Sequence, residues 1–143
     1  MPDIRALKMY LLVAIGGALG SMARFWLGNL GATLTSAVFP WGIIWVNWIG
    51  CFVIGFFSEA TRTTGLLQVS PETRNFVIVG ICGGFTTVSS FSLGTLALLD
   101  AGQLIQPLAN VLLSVIGCMI AVCLGVWLVR FTHLSEGESE WSD

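Results

Sequence analysis

Charge is scarce in this sequence. Its 143 residues include six basic and eight acidic side chains, 10% of the chain, where soluble domains carry about 25%. Histidine and tyrosine each occur once. A net charge of -2 without a basic patch excludes a nucleic-acid partner. An apolar content of 55% excludes intrinsic disorder. The remaining class is an integral membrane protein whose partners include lipid.

The gaps between charges define the organisation. None occurs from Met9 to Ala23, from Phe25 to Ser58, from Asn75 to Leu99 or from Ala101 to Val129. A helix crosses a ~30 Å hydrocarbon layer with ~20 mostly apolar residues. The spacing therefore predicts an all-α membrane protein with four transmembrane helices, over roughly 7–30, 37–60, 74–99 and 106–131. Residues 1–134 form the transmembrane domain, and 135–143 (SEGESEWSD) read as an acidic solvated tail. Ser70-Pro71-Glu72 offers a hydroxyl N-cap with proline at the first helical position. Pro40 and Pro107 stand at the mouths of the second and fourth helices. Arg5, Lys8, Arg62, Arg74 and Arg130 all fall on one side of such a bundle, and the two opposite loops carry no Lys or Arg. By the positive-inside rule the termini are expected in the cytoplasm of a cell (inner) membrane protein.

The missing groups also limit the chemistry. Arg24 is the one ionisable side chain well inside a span, and such groups are costly and usually functional. A proton-coupled exporter of cationic drugs needs a carboxylate at membrane depth, and no span offers one. Without an intramembrane histidine or an acid–base pair, the chain is not expected to be an enzyme. Cys51, Cys82, Cys118 and Cys123 have spacings suited neither to zinc nor to a disulfide framework, and read as small residues packed between helices. His133 is given no role.

What the spans do hold is neutral and hydrogen-bonding. Asn47 lies mid-way along the second helix, and Asn110, Ser114 and Cys118 recur every fourth residue on the fourth. The segment Gly80-Ile81-Cys82-Gly83-Gly84-Phe85-Thr86-Thr87-Val88-Ser89-Ser90-Phe91-Ser92 concentrates glycines and then hydroxyls in the middle of the third. Since glycine tolerates non-helical backbone and threonine is a mediocre helix former, this helix is expected to be broken near its middle. Such a break survives at membrane depth only when buried in protein or lining a cavity. Freed carbonyls favour a cation, whereas the half-helix N-terminus and hydroxyls favour an anion. A set comprising Asn47, hydroxyls, phenylalanine ring edges and Arg24 suits a small anion.

Three segments resemble the Fluc (CrcB) family of fluoride channels. They are Gly16-Gly17-Ala18-Leu19-Gly20-Ser21-Met22-Ala23-Arg24 in the first helix, Gly42 to Gly55 around Val46-Asn47 in the second, and Gly80 to Ser92 in the third. The resemblance implies an antiparallel, dual-topology dimer with two pores. It also implies a central, non-transported structural Na+ held by backbone carbonyls at the positions of Gly83 and Thr86. By the same resemblance, the fluoride pathway maps onto Asn47, Phe91, Ser89, Ser90, Ser114 and Cys118, with Arg24 near an aqueous vestibule. Passive exit of fluoride that entered as HF is the implied physiology. Departures from the pattern are Val88 for the first signature phenylalanine, Gly94 for an acid, and Gly42-Ile43-Ile44 for G-T-L.

The five-to-none bias of Lys and Arg leaves two assemblies open. One is an antiparallel homodimer; the other is a fixed-orientation subunit paired with an inverted homologue. A small multidrug exporter and a non-transporting membrane scaffold are the competing functions.

Overall fold

All four charge-poor runs are helical in the computed structural model, which describes residues 4–34, 39–62 and 67–139, with side chains as far as residue 132. Helix α1 spans Ile4–Leu34 and α2 spans Trp41–Ala60. The third crossing is compound: α3 (Pro71–Asn75), a π-helical segment (Phe76–Cys82), α4 (Gly83–Phe85) and, after a two-residue break, α5 (Val88–Asp100). Helix α6 spans Ile105–Ser139. Four stretches of 31, 20, 30 and 28 residues are long and apolar enough to cross a membrane, as expected of a multi-pass membrane protein.

Ser70 caps α3 as its sequence predicts, its Oγ accepting the Thr73 N–H at 3.2 Å with Pro71 following. Two boundaries differ from expectation. Helix α2 starts at Trp41 rather than 37, with Pro40 at its N-cap and residues 35–38 outside the described set. Helix α6 runs on to Ser139 rather than stopping near 131. No proline follows Arg130, so the first part of the expected tail continues the helix, and 140–143 lie outside the described residues.

Lipid gives apolar side chains no reason to leave it, so helices associate where small residues let backbones come close. Two glycine seams do this. In the first, α1 meets the third crossing. A Cβ on Gly16 would lie 2.8 Å from the Phe76 carbonyl oxygen, and one on Gly80 3.0 Å from that of Val13. At Gly20 and Gly84 a Cβ would collide with the carbonyls of Ile81 and Gly17. In the second, α2 lies along α6. Gly55 abuts the Val122 backbone, Gly125 abuts Phe52, and Gly117 receives the Trp48 indole, whose Nε1–H donates to the Leu113 carbonyl at 3.0 Å. Helix α5 is thinly covered: Val88 is 77% exposed and Leu93 68%.

At one end of the bundle Glu59 accepts from Arg62 at 3.2 Å and Arg130 at 2.8 Å. Arg74 donates there to Ser58 and Thr61, both at 3.3 Å. These three arginines thus share an end, as the sequence predicts.

Replacing Gly20 by valine is expected to lower the thermal midpoint of the purified protein in detergent, at a cost of about 1–3 kcal/mol for overpacking against backbone. Gly28→Val, where a Cβ would meet nothing within 4 Å, is expected to leave the midpoint unchanged.

Candidate functional site

A helix interrupted inside lipid must have its exposed backbone groups satisfied by side chains. The third crossing is interrupted at Thr86 and Thr87, whose φ/ψ angles of -76°/153° and -150°/120° are extended. β-branched residues accept this geometry well. The break is where the sequence places it, and of its two expected causes the threonines act while the glycines do not. Gly83 is helical at φ -63°, and Gly102 alone among the described glycines has a positive φ. Gly80 and Gly84 serve close approach to α1, and the threonines make the break.

Asn47, buried on α2, repairs it from both sides. Its Oδ1 accepts the Thr87 N–H at 2.8 Å, and its Nδ2 donates to the Thr87 carbonyl at 3.0 Å. In an uninterrupted helix that N–H would have bonded the Gly83 carbonyl. Similarly, the Ser90 N–H donates to Thr87 Oγ1 at 3.1 Å instead of to the Thr86 carbonyl. The two carbonyls thus lose their helical donors. Both Thr86 N–H and Oγ1–H turn back to the Cys82 carbonyl at 3.0 Å and close α4. Gly50 makes room, since a side chain there would overlap Thr86 Cγ2 and press on Phe85.

Thr87 is the hub that sequence reasoning passes over. Its Oγ1 caps α5 and also lies 3.1 Å from the hydroxyls of both Ser89 and Ser90. The preference for threonine at an N-cap is the signal that marks it.

The residues singled out in the sequence fall into two groups. Asn47, Ser89 and Ser90 gather around Thr87. Half-buried Arg24 lines a cleft of about 780 Å³ together with Ser21, Asn29, Thr87, Ser90 and Gly94. Gly94 packs α5 beside α2, a Cβ there lying 3.4 Å from Pro40. On the other side, Phe91 is linked to α6: the Thr95 hydroxyl donates to the Phe91 carbonyl, and Asn110 Nδ2 donates to Thr95 Oγ1, each at 2.8 Å. Ser114 is buried and Cys118 half-buried on α6, and among the described residues neither is hydrogen-bonded to the Thr87 cluster. Among the described residues, Gln106 Oε1, Asn110 Oδ1 and Ser114 Oγ are buried without a hydrogen-bond partner. Gln106 extends the polar stripe by one turn and was legible from the four-residue spacing.

Comparison with known proteins adds an independent line. The family model for CrcB-like protein, Camphor Resistance (CrcB), matches residues 11–126. A relative from Methylocella silvestris named "Fluoride-specific ion channel FluC" is 48% identical over 116 residues, covering 81% of this chain and 88% of its own. One of the same name from Rhodospirillum rubrum is 49% identical, covering 81% and 90%. A third, from Opitutus terrae, is 47% identical over 119 residues, covering 83% and 90%.

Asn47→Ala is expected to orphan the Thr87 N–H and carbonyl, at roughly 1–3 kcal/mol for each group. Thr87→Ala removes the cap and is expected to cost about 1 kcal/mol. Thermal unfolding in detergent checks the order, with Asn47→Ala the less stable variant.

Proposed function

The chain belongs to the CrcB family, and from that membership we propose that it is a passive, fluoride-selective channel that lowers cytoplasmic fluoride. The observation that carries this reading is the Asn47–Thr87 pairing. It holds a helix open at membrane depth, with the positive N-terminal end of α5 and two serine hydroxyls beside the opening. A small anion entering protein must exchange its water for hydrogen-bond donors. Asn47 keeps a second amide N–H, Ser89 and Ser90 bring hydroxyls, Phe91 brings ring edges, and no carboxylate occurs from Asn75 to Leu99.

Arg24 stands on the cleft, which serves as the vestibule that gathers anions. The stripe of Asn110, Ser114 and Cys118 continues the pathway along α6. Fluoride that enters as HF from acid surroundings dissociates in the neutral cytoplasm and leaves down its own gradient.

Assembly follows the same reading. Thinly covered α5 faces a second, inverted chain in an antiparallel dimer. The Gly83 and Thr86 carbonyls, freed of their helical donors, are the hard, neutral ligands a structural Na+ prefers. Two carbonyls are fewer than such an ion takes, so the shell of the proposed site draws on both chains. When bound, the ion supplies a fixed positive charge between the broken helices. The clustering of Arg62, Arg74 and Arg130 at one end favours a second reading, in which this chain keeps one orientation and its inverted partner is a homologue. Cytoplasmic termini in an inner membrane follow from the same bias.

Liposomes containing the purified protein are expected to release fluoride, read with an ion-selective electrode, well above empty liposomes and without release of chloride or a cationic dye. Release no faster than from empty liposomes would overturn the channel reading for the homomer, and co-reconstitution with an inverted homologue tests the heterodimer. Phe91→Ile is expected to cut the rate by roughly tenfold or more, equivalent to about 1.4 kcal/mol on the barrier, while the assembly elutes as wild type. Replacing sodium with a bulky organic cation is expected to lower flux or dimer stability if the carbonyl site is correct.

A further inference from the structure

Arginines from three crossings meet at one end of the bundle. Glu59, near the end of α2, pairs with Arg62 at 3.2 Å and with Arg130 of α6 at 2.8 Å. Arg74 of α3 donates to Ser58 and Thr61, on either side of Glu59 in the chain, at 3.3 Å each. Three guanidiniums thus gather about one carboxylate, and positive charge is left over. The pairing also leaves donors unused. Arg130 bonds Glu59 through Nε, and Arg62 bonds it through Nη1. Among the described residues, both Nη groups of Arg130 and the Nε and Nη2 of Arg62 therefore have no acceptor. These two side chains are exposed, whereas Glu59 is mostly covered.

An apolar groove leads to this cluster along α6. It has a volume of about 520 Å³ and is lined by Met119, Ile120, Cys123, Leu124 and Trp127. At 3.6 residues per turn these positions share one face of the helix, and Arg130 and Phe131 fall on the same face one turn further on. Trp127 and Phe131 stack there with ring centroids 5.3 Å apart, as aromatic residues do where hydrocarbon gives way to headgroups. Met119 and Trp127 are separated by a rise of about 12 Å. That length fits inside one leaflet's share, about 15 Å, of the hydrocarbon layer, with Arg130 just beyond it.

We infer that this end of α6 is a binding site for an anionic phospholipid. One acyl chain lies in the groove, and the phosphodiester accepts from the unused N–H groups of Arg130 and Arg62. A guanidinium fork matches two phosphate oxygens, which a lone ammonium does not. Any lipid can cover the apolar groove, so the arginines are what make the site selective. The phosphatidylglycerol head has a net negative charge that the cluster is left to balance, whereas the phosphatidylcholine head brings an ammonium of its own. Arg74, held by two hydroxyls and no carboxylate, adds to the attraction.

The test is lipid retention by the full-length protein in neutral detergent. Phosphatidylglycerol and phosphatidylcholine of identical acyl chains are added in equal amounts, the mixture is gel-filtered, and the retained lipids are counted by mass spectrometry. Wild type is expected to retain phosphatidylglycerol over phosphatidylcholine by at least about fivefold, the effect of one arginine at an anionic surface. Arg130→Gln and Arg62→Gln are each expected to lose most of that preference. Lys8→Gln, which removes the same charge from α1, is expected to keep it. Cys123→Phe, which fills the groove, is expected to lower the retention of both lipids. Each variant is required to elute as wild type, and either arginine variant serves if the other does not. Equal retention of the two lipids by wild type would overturn the inference, as would a preference that Lys8→Gln weakens as much as the arginine variants do. A wild type that holds no lipid, its groove covered by a second copy, would also overturn it. Inorganic phosphate alone is expected to leave the thermal midpoint unchanged; a rise equal to that given by phosphatidylglycerol would assign the arginines to a soluble anion instead. No ion flux enters these readouts, so their failure leaves the channel reading untouched.

Discussion

A single side-chain amide sustains the unusual backbone on which the rest of the site depends. In hydrocarbon, a peptide group without a partner has no water to fall back on, and each such group costs several kcal/mol. Asn47 presents one acceptor and one donor at the spacing of a peptide edge, and so stands in for the strand that Thr87 would need in a sheet. Every other feature of the opening assumes that this substitution holds. The Thr87 hydroxyl is free to cap α5 because its own backbone is already satisfied. The carbonyls of Gly83 and Thr86 lose their helical donors because the N–H groups that would have covered them are engaged elsewhere.

The glycines set the distances at which this works. Along α1 and the third crossing they bring carbonyl oxygens against Cα atoms, and along α2 and α6 they admit an indole and bare backbone. The large apolar residues mostly point outward, with Trp26 75% and Phe25 67% exposed, the inverse of a water-soluble bundle. The interior is correspondingly small: Ile44, Val46 and Asn110 are its largest fully buried side chains. A polar residue holds such a place because its amide is bonded to Thr95 on the neighbouring helix.

Helix number and type were legible in the sequence because charge is excluded from hydrocarbon, and the gaps between charges therefore trace the spans. The location of the break was legible too, from the density of hydroxyls around Thr86 and Thr87. Its cause was not. Glycine offers both a permissive backbone and a missing side chain, and sequence does not tell which is used; at Gly80 and Gly84 it is the second. Asn47 reads in sequence as a donor for an ion, and its two bonds to Thr87, 40 residues away, emerge only when α2 and the third crossing are side by side. Ser135 onward read as a solvated tail because serine and glutamate are polar, yet both residues are compatible with a helix that has already begun.

The π-helical segment of Phe76–Cys82 carries a consequence for how this architecture can vary. Hydrogen bonds that skip five residues rather than four hold surplus chain within the same rise. That surplus acts as slack just upstream of the opening. Losing one residue there lets the coil tighten to the ordinary pitch, while Thr86 and Thr87 keep their azimuth beneath Asn47. Chain length on the Asn75 side is therefore uncoupled from the orientation of the opening, and an ancestral insertion or deletion in this stretch need not have rotated it away from its clamp.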